Sequence, residues 1–274
     1  MTAKPLVIVG DSILDVDIVG TASRLSPEAP VPVVDAERQV QRPGGAGLAA
    51  LLAARTQTQV VLITGIAADE AGRRLHDLLG AAGVSVLPLP MSGTTVTKTR
   101  IRARGQSMLR VDRGDAAPVD GALPAEAARA LSDARAICVA DYGAGVTALP
   151  AIRAALTEAA ARIPVVWDPH PRGAAPVPGC ALVTPNHEEA RHFCGPTTPG
   201  DGGELLLRKW GARAVCITRG AHGARVYGPG SAARQVGIPA GSSAGAADVC
   251  GAGDPAGDAD GARAPLPQEE LAAV

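Results

Sequence analysis

Short apolar runs punctuate the chain up to residue 220: LVIVG at 6–10, VVLITG at 60–65, AICVAD at 136–141, PVVWD at 164–168, ALVTPN at 181–186 and AVCITRG at 214–220. Each has the length and β-branched content of a buried strand, and most precede a stretch rich in Ala, Leu and Arg. This alternation predicts βαβ units around a mostly parallel sheet flanked by helices, an α/β fold. Nearly every run ends in a polar residue or glycine, and the polar ones are Asp11, Asp141, Asp168, Asn186 and Thr218. Ligands of open α/β sheets bind outside the carboxyl ends of the strands, so these residues are expected to converge on one crevice. Each alone could merely cap the next helix; five together favour a site.

Two segments, about 13–36 and 94–114, break the alternation. They carry period-2 patterns rich in Thr, Val and Ile with no helical partner, which predicts a small antiparallel β lid. In the second, Lys98, Arg100, Arg102 and Arg104 recur at every other position. On one strand they would share a face and form a basic stripe, offset only by acidic residues elsewhere. The stripe could protect an exposed edge or bind an anion.

Glycine-rich stretches add candidate chemistry. RPGGAGLAALLAAR sets Gly44, Gly45 and Gly47 before a helical run, so main chain can approach a ligand closely. It is no dinucleotide fingerprint, because Arg42 and Pro43 rather than a strand precede the glycines, and no GxxxxGK[ST] occurs. Near the C-terminus, Gly251, Ala252 and Gly253 can form a nest of N–H donors with Asp254 beside it. A carboxylate facing an electron-rich phosphate is useful there as a general base.

Composition narrows the partners. With 274 residues, 46% of them hydrophobic, the chain can bury a substantial core, and one domain spanning 1–274 is expected. A formal net charge of −1 gives no general attraction to nucleic acid or membrane. No run reaches the roughly 20 apolar residues of a membrane span, and no leader precedes LVIVG, so a cytoplasmic protein with a small ligand is expected. The five cysteines are scattered without a CxxC pair, and His187 and His192 miss the spacing of a zinc-binding HExxH.

Taken together, GDSILD, SRLSPEAPVPVV, RPGGA, TKTRIRARGQSMLRVD, ADYGAG, TPNHEEA, TRGAHG and DVCGAGD resemble the ribokinase-like (PfkB) sugar kinases, and more narrowly the bacterial heptose-7-phosphate kinases, over about residues 5–254. The resemblance implies ATP and Mg as cofactors, a phosphosugar acceptor and a homodimer formed through the lid. By position, Asp254 would deprotonate the acceptor hydroxyl while the amides of Gly251, Ala252 and Gly253 hold the phosphoryl group. Asp11, Gly44 and Gly45 would bind sugar hydroxyls, and Lys98, Arg100 and Arg104, with Asp141, would recognise the phosphorylated sugar. Asn186 and Glu189 would organise Mg and the ATP phosphates, with Thr218, Gly220 and Gly223 flanking the nucleotide.

Three departures accompany the resemblance. Leu48 stands where the family has Asn, DPHPRG at 168–173 replaces a shorter Asp-Pro-Lys-Gly, and only 20 residues follow Asp254, with Pro255, Gly257, Gly261, Pro265 and Pro267 among them. An irregular tail and a C-terminal part cut short after 254 are therefore expected. They leave two possibilities: a sugar kinase, or a sugar-phosphate-binding remnant with an impaired ATP site.

Overall fold

The computed structural model describes residues 4–57, 59–196, 198 and 200–238. The expectations for Gly251, Ala252, Gly253, Asp254 and the tail lie outside the described residues. The chain begins with β1 (Leu6–Gly10), β2 (Ser12–Leu25), β3 (Pro32–Gly45), α1 (Ala46–Ala53), β4 (Val60–Gly65), α2 (Glu70–Ala81) and β5 (Val84–Leu89). It continues through β6 (Met91–Ser92), β7 (Thr97–Ala103), β8 (Gln106–Arg113), β9 (Ala117–Pro118), α3 (Ala125–Asp133), β10 (Ala136–Ala140) and α4 (Pro150–Ala160). There follow β11 (Val165–Asp168), β12 (Leu182–Val183), α5 (His187–Cys194), α6 (Gly203–Trp210), β13 (Val215–Thr218), β14 (Ala224–Tyr227) and β15 (Arg234–Val236).

Among the described residues the main sheet has nine strands, ordered β15-β14-β13-β12-β11-β10-β1-β4-β5. It is parallel from β13 to β5 and ends in the antiparallel strands β14 and β15. All six apolar runs read from the sequence lie side by side in its parallel part. ALVTPN contributes less than expected, with only Leu182 and Val183 in β12, because Pro185 has no N–H to continue the ladder. β1 reads as an unbroken apolar run because both faces of the sheet are covered. Val7 and Val9 pack with Leu131, Ile152, Leu156 and Trp167 on one side, and Ile8 packs with Ala46, Ala50, Leu75 and Leu79 on the other. The helices thus form two layers around the sheet, and no described helix is long and apolar enough to cross a membrane.

The lid is a second sheet, ordered β3-β2-β7-β8. Its hairpins β2–β3 and β7–β8 are antiparallel, and one parallel pairing, β2 with β7, joins them. β3 reaches further than the expected lid segment and delivers Gly44 and Gly45 directly to α1. Arg104 corrects the expected stripe: β7 ends at Ala103, and Arg104 sits in the hairpin turn with φ 51, next to Gly105 at φ 79. Such a two-residue turn needs positive φ at both positions, which removes Arg104 from the strand face.

Asp69 ties the base of the lid to the main layer. Its carboxylate caps α2 through the Gly72 amide at 2.7 Å and also accepts the Thr95 amide and hydroxyl, both at 2.7 Å. Burial acts to raise its pKa, but the bonds from Thr95 and Gly72 outweigh burial and hold it below the ordinary value. Asp69→Ala should therefore lower stability by about 1–2 kcal/mol in denaturant titrations. Amide exchange at residues 94–97 should quicken with it; unchanged exchange would show that β2 alone secures this entry to the lid.

Candidate functional site

The carboxyl ends of the parallel strands bring the expected polar residues into a row. The Asp11 amide donates to the Ala140 carbonyl (3.3 Å), the Asp141 amide donates to the Asp168 carbonyl (3.1 Å), and Asn186 bridges Thr218 in parallel register. Adjacent strands therefore present Asp11, Asp141, Asp168, Asn186 and Thr218 in sheet order.

Asp11 is 2% exposed. Its carboxylate accepts main-chain N–H groups from Tyr142, Ala144 and Val146, each at 3.0 Å, and so fixes the loop that follows β10. Most of its acceptor capacity is spent on that loop. The space beside it, lined by Ser12, Thr95, Ala144 and Val146 among others, amounts to about 10 Å³. Asp141 accepts from the Thr147 hydroxyl (2.6 Å), the Gly143 amide (2.8 Å) and the Ala174 amide (3.0 Å). Burial, opposed by those bonds and assisted by the Asp11 charge, pushes its pKa up.

Asp168 is more strongly perturbed. Burial first, then repulsion from Glu189, push its pKa up to about 7, against a hydrogen bond from Thr184. Glu189 is itself raised by burial. Asn186 and Glu189 form a reciprocal capping box on α5: the Asn186 side chain accepts the Glu189 amide at 2.9 Å, and the Glu189 carboxylate accepts the Asn186 amide at 2.8 Å. This satisfies two of the helix's free N-terminal donors. Thr218 closes β13, and the tight turn beyond it brings Gly220 (φ 54) and Gly223 (φ 75) to the same end of the sheet. A Cβ on Gly223 would run into the carbonyl of Val236.

On the lid, Asp15 and Asp17 of β2 are in register with Lys98 and Arg100 of β7, and Asp15 with Arg42 of β3. In-register partners point to the same side, so these five side chains share one face. Both arginines reach diagonally: Arg100 pairs with Asp15 at 2.6 Å, and Arg42 pairs with Asp17. The Arg100 pair is largely dry, 12% and 6% exposed. The stripe is thus offset by acids on the next strand rather than by distant ones. Asp17 keeps one buried carboxylate oxygen without a hydrogen bond among the described residues, and Lys98 has no ion pair there.

Gly44 and Gly45 sit where the lid meets the sheet. A side chain on Gly44 would strike the Asp15 carboxylate, and one on Gly45 (φ 60) would strike the Asp11 carbonyl. Leu48 is buried in α1 at 7% exposure. Asp15 and Asp17 are site residues that the sequence patterns above did not single out, although their alternation in ILDVDIV, facing a basic strand, is a usable signal. The turn carrying His170 and Arg172 stood out only as a departure from the family pattern. No group of three or more His, Cys, Asp or Glu able to hold a metal occurs among the described residues. The arrangement suits a polar, anionic small molecule held between a charged lid face and a row of carboxyl groups.

The sequence profile described as "pfkB family carbohydrate kinase" matches residues 3–255. The chain is 46% identical over 260 residues to the Bifunctional protein HldE of Streptomyces coelicolor, a match covering 91% of this chain and 53% of that protein. It is 36% identical over 230 residues to the HldE of Caulobacter vibrioides, covering 80% of this chain and 48% of that protein. The chain therefore spans about half the length of these curated relatives. Among solved structures it resembles Arabidopsis thaliana ribokinase complexed with ribose and ATP (TM-score 0.63, 17% identity, 87% of this chain and 79% of that one). It also resembles Escherichia coli phosphofructokinase-2 in complex with fructose-6-phosphate (TM-score 0.57, 16% identity, 87% and 81%). At these identities the structural likeness speaks for the fold.

The raised pKa of Asp168 predicts a pH dependence of stability. A carboxyl that titrates higher in the folded than in the unfolded chain binds more protons when folded, so its contribution is fully present below about pH 4 and is lost as pH rises through about 7. Asp168→Asn should flatten that slope and stabilise the protein at pH 8 by on the order of 1–2 kcal/mol relative to the parent. Parallel denaturant curves at pH 5 and pH 8 test this, and identical slopes would refute the assignment of the shift to Asp168.

Proposed function

This chain belongs to the pfkB family of carbohydrate kinases, and from that premise we propose that it transfers the γ-phosphoryl group of ATP to the anomeric hydroxyl of a heptose 7-phosphate, giving the 1,7-bisphosphate. The observation that most directly supports an anionic sugar as acceptor is the lid face, where Lys98 and Arg100 are held in register beside Asp15 and Asp17. The relatives named HldE support the heptose, and the proposal concerns the kinase reaction alone.

Phosphoryl transfer asks a protein mainly for alignment and charge neutralisation. Asp254 accepts the proton of the attacking hydroxyl, and the amides of Gly251, Ala252 and Gly253 hold the transferring group. Gly44 and Gly45 bring main chain against the sugar, with Asp15 adding a carboxylate at the same place, while Asp11 and Asp141 hold the loop beneath it. Lys98 and Arg100 hold the phosphate of the acceptor, and Arg104 reaches it only if the hairpin tip closes. Asn186, Glu189, Thr218, Gly220 and Gly223 form the ATP side.

Glu189 suits Mg²⁺ on that side, because burial and then the neighbouring Glu188 push its carboxyl toward the neutral form and a cation would favour the charged one. When bound, it would neutralise phosphate charge, reached by Glu189 through water. The lid also offers a dimer surface: Leu25, Val31, Val40, Met108 and Leu109 are exposed, and β3 and β8 are sheet edges. A homodimer through the lid, located in the cytoplasm with its ATP supply, completes the proposal.

Asp254→Asn should lower kcat by about 10²–10⁴ with little change in sugar affinity, measured by coupled ADP release and calorimetry. An equally active variant would sink the role of Asp254. Lys98→Ala should weaken heptose 7-phosphate binding by about ten- to a hundredfold and leave the unphosphorylated heptose nearly unchanged. Arg100→Ala should be worse for both ligands, because it strands the buried Asp15 charge. Equal losses for both sugars on removing Lys98 would make the stripe structural.

A further inference from the structure

The turn after β11 brings a histidine and an arginine close to the lid. It is closed by the Gly173 amide donating to the His170 carbonyl (2.8 Å) and the Arg172 amide donating to His170 Nδ1 (3.1 Å). With Nδ1 accepting, the neutral imidazole carries its proton on Nε2 and has a donor to offer. Asp141 holds the turn through the Ala174 amide, and Gly173 abuts its carboxylate so closely that a side chain there would collide. Tyr142 stacks on the imidazole, with ring centroids 6.5 Å apart and planes at 22°. A Cβ on Gly143 would lie 2.7 Å from His170 Nδ1, and one on Gly45 would lie 3.4 Å from the Tyr142 ring. The histidine is therefore locked on a platform that adjoins the glycine pair at the base of the lid.

The charges around it are predominantly cationic. Burial first, then Arg172 on its own turn, hold the imidazole below its ordinary pKa; Lys98 on β7 and His192 on α5 act in the same sense, and Asp11 after β1 opposes them. Arg172 is exposed, and neither it nor Lys98 has an ion pair among the described residues. A neutral histidine presents its Nε2–H beside these cations without adding a third positive charge to the crevice.

From this placement we propose that His170 and Arg172 form, with Lys98 across the crevice, the subsite for the phosphate ester of the acceptor. This rests on the kinase function proposed above, and it makes the turn a specificity determinant that lies outside the lid. A phosphomonoester offers three acceptor oxygens, and two elements would meet it with an imidazole N–H, a guanidinium and an ammonium group. The stacked histidine would fix where the phosphate sits, and the two longer side chains would supply charge.

The test follows the His170 imidazole signals, identified with His170→Asn, by proton NMR of the full chain at fixed pH. Additions are inorganic phosphate, heptose 7-phosphate, the unphosphorylated heptose and ADP, each alone. Inorganic phosphate and heptose 7-phosphate should shift the His170 imidazole signals as the Nε2–H takes up an acceptor, whereas the unphosphorylated heptose and ADP should leave them in place. Arg172→Gln should weaken heptose 7-phosphate by about tenfold and the unphosphorylated heptose by less than about twofold. A His170 spectrum unmoved by either phosphate, or moved by ADP alone, overturns the subsite. A separate phosphorylation assay keeps the two proposals apart: turnover of heptose 7-phosphate with a silent His170 overturns the subsite and leaves the kinase, and a phosphate-responsive His170 without turnover does the reverse.

Discussion

The Asp11 carboxylate, 2% exposed, accepts three main-chain N–H groups from the segment after β10. A buried carboxylate without partners would be driven to its neutral form or out of the core, and the three amides, that of Val146 buried and the other two partly so, would be left without an acceptor at a further cost. Together they satisfy one another. The loop carrying Asp141, Tyr142 and Gly143 is consequently fixed relative to β1, and Tyr142 and Asp141 in turn seat the His170 turn. The geometry of the crevice floor descends from this one bonding pattern.

The lid works differently. Its inner face is a ladder of opposite charges, with Asp15 and Asp17 between the basic residues of β3 and β7. Ion pairs this dry contribute little net stability, since desolvation offsets most of their attraction. What they provide is position: Arg100 is held by Asp15, and Gly44 lets that carboxylate approach the main chain. Lys98 stays apart from these pairs and within electrostatic reach of His170.

The crevice is electrically lopsided as a result. Lys98 and Arg172 stand toward the lid, whereas Asp168 and Glu189 repel each other further along the sheet. An anion is favoured at the first end and a cation at the second. The proposed transfer between a phosphorylated acceptor and a metal-bound nucleotide would use that division.

Much of this architecture is legible in the amino-acid sequence. The six apolar runs form adjacent strands, and their terminal polar residues meet at one end of the sheet, because strand burial and period-2 alternation are local properties written residue by residue. The chain alone therefore determined the α/β class, the lid and the row of strand-end side chains. It could not determine which partners those side chains take. Asp11 bonds amides 131 to 135 positions away, Arg100 pairs with an aspartate 85 positions back, and two residues in positive φ turn Arg104 off its strand. The tertiary structure decided that Asp11 holds a loop, that the basic stripe is half neutralised, and that a minor departure at 168–173 adjoins the base of the lid through Tyr142. Hydrogen-bond and charge partners depend on which distant segments pack together, and a local pattern carries no record of that.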